Sequence, residues 1–115
     1  MTDLSSQILS RIMENQGKLL PHDAGLVLPY YDRLSLTNLP ATISHLLGTP
    51  SFGEPPLDEA ILAEIGGPYE KIIFLLVDAL GYPLLEELIQ QDDHLIWGSL
   101  RQQAVYTPIT SICPS

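Results

Sequence analysis

Residues 71–77 read KIIFLLV, and Asp78-Ala79-Leu80-Gly81-Tyr82-Pro83 follows directly. From Ile72 to Val77 every side chain is apolar, so neither face of this stretch is made for water. Gly66-Gly67-Pro68 lies shortly before it and Gly81 and Pro83 shortly after, which limits it to strand length. A short, unbroken apolar run between such breakers is the pattern of a strand buried on both faces, as in a parallel sheet. Pro83 suits the first turn of a following helix, in which Leu84, Leu85, Leu88 and Ile89 share one face and Glu86, Glu87 and Gln90 the other. A second helical turn is expected through Leu95–Leu100. Residues 103–107 (QAVYT) then read as a second, shorter strand, which completes one right-handed strand-helix-strand unit.

Upstream, residues 3–16 have an amphipathic period. Leu4, Ile8, Leu9, Ile12 and Met13 share a face, Thr2 or Asp3 is placed to cap the start, and Gly17 to end it. Residues 18–37 carry Pro21, Gly25 and Pro29 without a period and read as an extended arm. Asn38 and Pro40 open a second helix that Gly48 closes, and residues 49–56 (TPSFGEPP) form a loop. A short helix from Leu57 to Ile65 ends at Gly66-Gly67. The organisation expected is a helical and extended lead-in over residues 1–68, then an α/β unit over 69–115. Two strands are too few to cover a strand that is apolar on both faces. The expectation is therefore the N-terminal part of a larger α/β domain, a sheet sandwiched by helices, or a chain that self-associates through unpaired sheet edges.

Composition narrows the function. Of the 115 residues, 5 are Lys or Arg and 14 are Asp or Glu, a formal net charge of −9. Such a surface repels nucleic acid and anionic membranes, both of which demand clustered positive charge. The six-residue apolar run is far too short to span a bilayer. The opening MTDLSS has neither the basic start nor the apolar core of a secretory signal, and the lone Cys113 has no partner for an internal disulfide. A cytoplasmic protein is expected.

Asp78 carries the chemistry. It sits where a strand of an open α/β sheet would end, at the edge that binds ligands, beside the start of a helix. A carboxylate there requires a cation or a donor, and a divalent metal is the natural partner. The plainer alternative is that Asp78 only caps the Gly81 turn or the Pro83 helix. Leu80 stands where a haloacid-dehalogenase-type phosphatase needs a second Asp. The early acidic pair of a receiver domain is missing, and Gly81 alone does not make a dinucleotide-binding loop.

The combination of IIFLLVDALGY at residues 72–82 with VYTPITSICPS at 105–115 resembles the start of the alkaline phosphatase superfamily. Its type I phosphodiesterase/nucleotide pyrophosphatase branch is the most similar, and the likeness extends back to about Pro29. The resemblance implies that Asp78 is a ligand of a centre of two divalent metal ions, zinc in most relatives, acting on a phosphate ester or nucleotide. Two metals about 4 Å apart would activate a nucleophile and hold the attacked and leaving oxygens. Attack on phosphorus would give a covalent phospho-enzyme that water opens. The nucleophile implied is a Thr just after Pro114-Ser115, so it lies outside this sequence, as do the later Asp and His ligands. The 115 residues by themselves are expected to be inactive. An acidic, non-catalytic α/β interaction module is the alternative.

Other candidates are weaker. Thr110, Ser111 and Ser115 are possible nucleophiles, but Ser115 has no helix behind it. Cys113 adjoins Pro114 directly, which departs from the sulfatase spacing, and reads as a small buried apolar residue. His22 and His94 neighbour Asp23 and Asp93, and His45 lies in a short helix; His22 falls in the irregular arm, and solvent-facing positions are the simpler reading for His45 and His94. A phosphoglycerate mutase-like branch needs a Gly-Asn-Ser triplet that does not occur. Trp97 and the tyrosines 30, 31, 69, 82 and 106 offer stacking surfaces, but Tyr82 alone lies near Asp78 in sequence.

Overall fold

The computed structural model describes residues 2–17, 27–91 and 96–112. Five α-helices follow one another: α1 (Ser5–Gly17), α2 (Leu39–Leu46), α3 (Glu59–Ile65), α4 (Tyr82–Gln91) and α5 (Ile96–Gln103), with a 3-10 turn at Leu36–Asn38 leading into α2. Among the described residues there is no strand and no sheet. Two isolated parallel bridges, Asp3 with Tyr106 and Ser35 with Thr110, are the whole of the β-pairing. This overturns the expected α/β sandwich.

The helices arise where the local signals place them. Asp3 Oδ1 accepts the Ser5 N–H at 2.9 Å at the start of α1. The turn before α2 is fixed by a reciprocal pair: Ser35 Oγ accepts the Thr37 N–H (3.3 Å), and the Ser35 N–H donates to Asn38 Oδ1 (3.0 Å). Asp58 caps α3 by accepting the Ala60 N–H at 3.1 Å, and Gly66 ends it at φ 80°.

The core is small and lies under the lead-in. Leu4, just before α1, and Ile8 and Ile12 on it pack with Leu34, Leu57 and Ile61, and Tyr30, Leu39, Ile65, Val105 and Ile109 close around them. Leu9 and Met13, read as part of the same α1 stripe, are exposed. Two buried polar side chains tie the 49–58 loop to α2. Asn38 Nδ2 donates to Pro55 O (2.9 Å), and Thr42 Oγ1 accepts the Leu57 N–H (2.8 Å). Such groups are tolerated inside because each is hydrogen-bonded.

Residues 71–77 form no regular secondary structure and pair with nothing among the described residues. Ile73 is 96% exposed and Leu75 78%, and Phe74, Leu76 and Val77 are exposed as well. The physical reason is the shortage of partners. The other expected strand, 103–107, begins as the end of α5, and its Tyr106 pairs with the N-terminal segment instead. Without a neighbour on either edge, an apolar strand has no sheet to be buried in.

The two apolar sets should therefore answer differently to truncation. In urea unfolding followed by helical circular dichroism, Ile8→Ala, at a site with no exposed surface, should cost about 2–5 kcal/mol. Ile73→Ala should stay within about 0.5 kcal/mol of the wild type. Equal losses would mean that residues 71–77 are packed.

Candidate functional site

Asp78 occupies the first position after the apolar 71–77 segment, in a turn that leads to α4. Its Oδ1 accepts the N–H of Ala79 at 2.8 Å. Ala79 has φ 58°, a left-handed conformation that side chains other than glycine seldom adopt. The carboxylate is exposed, and its only hydrogen-bond partner among the described residues is this adjacent amide. The turn thus presents one carboxylate oxygen to solvent at the end of an apolar segment.

One carboxylate can fill one coordination position of a divalent ion, whereas a protein-held centre takes three or four ligands. Among the described residues no three His, Cys, Asp or Glu side chains come together. The residues present therefore do not fit a two-metal centre by themselves. His22, His94, Cys113 and Ser115 lie outside the described residues. His45 is exposed in the last turn of α2. Thr110 is buried and committed: its Oγ1 accepts the Tyr30 N–H (2.8 Å) and donates to Leu34 O (3.0 Å). Its proton and one of its two lone pairs are engaged, and burial closes the other to a substrate. Ser111 is exposed and has only a long bond to Ile112 O, at 3.4 Å.

Tyr82 is not turned to the Asp78 carboxylate for chemistry but belongs to a polar clasp. Its ring lies 6.2 Å from that of Tyr106, and burial pushes its hydroxyl pKa up. The Tyr106 hydroxyl donates to Glu86 Oε1 at 2.6 Å, and burial, then the Glu86 carboxylate, raise its pKa further. Arg101 lies over the Tyr106 ring, 4.9 Å from its centre, and donates through Nε (3.1 Å) and Nη2 (2.8 Å) to Asp3 Oδ2. The Ser5 hydroxyl and then Arg101 hold Asp3 below the usual carboxylate range. This clasp links residues up to 98 positions apart, so no spacing in the sequence announces it. It does no evident chemistry; it fastens α4 and α5 to the start of α1.

Trp97 lines an apolar hollow of about 210 Å³ with Leu85, Ile89, Leu100, Val105 and Tyr106. That is smaller than the roughly 300 Å³ at which small-molecule sites begin, and Trp97 is accounted for as packing between α4 and α5. No helix among the described residues is long and apolar enough to cross a membrane. Comparison with known proteins adds no relative: no family model, curated protein or solved structure matches the chain.

The clearest titration expected is structural. Arg11 Nη2 bonds Asp58 Oδ2 at 2.8 Å, and this bond holds the Asp58 carboxyl below its ordinary value of 3.8. A depressed carboxylate pKa contributes stability above the unfolded value, which is lost as pH falls through the folded one. The stability gap between wild type and Asp58→Asn in urea should be full at pH 6 and should shrink below about pH 4. A gap that widens on acidification would contradict this pairing.

Proposed function

We propose that this sequence supplies one metal ligand, Asp78, to a metal-dependent phosphoester hydrolase of the phosphodiesterase/nucleotide pyrophosphatase or phosphatase type. On this reading the nucleophile and the remaining ligands come from outside these 115 residues, which by themselves would not turn over a substrate. The observation that carries the reading is the exposed Asp78 carboxylate, held on a left-handed turn at the end of an apolar segment with one oxygen unengaged. Two divalent ions, zinc by resemblance, would supply the Lewis acidity for phosphoryl transfer. This chain's own part is to hold one carboxylate in a fixed orientation through the Ala79 amide. A cytoplasmic setting and a phosphate-ester or nucleotide substrate belong to the same proposal, and the acidic surface argues against nucleic acid as partner. The bare 71–77 segment favours a second reading, a non-catalytic module that binds through this surface.

The test begins with the coding DNA beyond Ser115. A continuing open frame should encode the nucleophile and scattered Asp and His residues. In that longer polypeptide, Asp78→Ala should remove about one zinc per chain by elemental analysis and lower hydrolysis of bis(p-nitrophenyl) phosphate by at least about 100-fold. Unchanged zinc content and turnover would remove Asp78 from any ligand role. A stop codon would leave the module reading in its place.

A further inference from the structure

We propose that residues 71–77 form a self-pairing strand through which two copies of this chain associate. The inference does not depend on the hydrolase reading. Four observations lead to it. First, no helix or turn occupies the segment, and neither of its edges makes a backbone hydrogen bond to any described residue, so it is open to pairing.

Second, its side chains are apolar on both faces, with Ile73, Leu75 and Val77 on one and Ile72, Phe74 and Leu76 on the other. The exposed apolar surface of residues 73–77 is on the order of 600 Å², against roughly 800 Å² per partner in a stable protein interface. A contact of that scale suits a weak dimer rather than an obligate one. Third, the partner that such a segment needs is an apolar strand with a free edge, and a second copy carries one. β-Branched and aromatic residues without Pro or Gly are the composition that pairs this way.

Fourth, charge selects the register. In an antiparallel pair related by a two-fold axis, opposite residues lie on the same face, so each pairs with one an even number of positions away. A pair centred on Phe74 would set Glu70 against the partner copy's Asp78, and like charges directly opposite are destabilising. A pair centred on Leu75 sets Ile73 against Val77, Phe74 against Leu76 and Lys71 against Ala79, with no like charges opposed. Registers centred on Ile73 or Leu76 also oppose no like charges but set Lys71 against Leu75 or Asp78 against Phe74, so the Leu75-centred register, which gives each of residues 73–77 an apolar partner, is the one assigned.

Sedimentation velocity on the full 115-residue chain tests this. A monomer–dimer equilibrium is expected. It should shift at least about tenfold towards dimer as salt rises from about 0.05 to 0.5 M, because each copy carries a net charge of −9. Leu75→Lys should abolish the dimer with the helical circular dichroism unchanged, since that side chain is exposed. In a Cys113→Ser background, Leu75→Cys should oxidise to a disulfide-linked dimer at least about tenfold faster than Phe52→Cys, whose site is 76% exposed. Any of four results would overturn the proposal: monomer alone up to about 100 μM in high salt, a dimer that survives Leu75→Lys, equal oxidation of the two cysteines, or assemblies larger than a dimer.

Discussion

The fold hangs on one short run of backbone near the end of the described chain. Leu4 donates to Tyr106 O at 2.9 Å, and Tyr106 donates back to Thr2 O at 3.2 Å. Four residues on, Thr110 donates to Leu34 O at 2.7 Å, and Leu36 donates to Thr110 O at 3.0 Å. Residues 106–110 are thereby laced between the start of α1 and the turn before α2. Val105 and Ile109 on this run close over the Leu4, Ile8, Leu34 and Ile61 core. These contacts span most of the chain, so closing them carries the loop entropy that packing must offset. Thr110 shows the consequence for chemistry: a hydroxyl that bridges two backbone segments is a structural part.

Around that lacing, charge is used locally and in pairs. Arg11 binds Asp58, the residue that also caps α3, so one carboxylate serves a helix end and a contact with α1. Arg101 joins Asp3 and Glu86, and its guanidinium covers the Tyr106 ring. With only five Lys and Arg residues in the sequence, committing two of them to bridges leaves a surface dominated by carboxylates. Asp78 differs from Asp3 and Asp58 in having no cationic partner among the described residues.

The 71–77 segment poses the opposite problem. Burying one large apolar side chain is worth about 1.5–3 kcal/mol, and several such side chains here remain in water. Exposed apolar surface of this extent marks an interaction site in a soluble protein. The hydrolase and the module readings agree on that point, and both place something over the segment. They differ in whether Asp78, at its end, then meets a metal.

Much of the local structure was legible in the residues. The 3.6-residue spacing of Leu4, Ile8 and Ile12, the caps around Asp58 and Gly66, and Pro83 at the start of α4 are signals read within a few positions, and the helices stand where they point. The burial of Leu4 but not Leu9 was not legible, because a stripe of apolar residues does not say which of its edges meets a neighbour. The strand at 71–77 failed for a related reason. Sequence determined that the segment is apolar throughout and closed by Asp78, since side-chain chemistry is a local property. Pairing is not local: a strand is buried only when a second edge lies about 4.8 Å away. Tertiary structure turned the other candidate that the sequence offered, around Tyr106, towards the N-terminal segment, which leaves 71–77 without a neighbouring strand among the described residues.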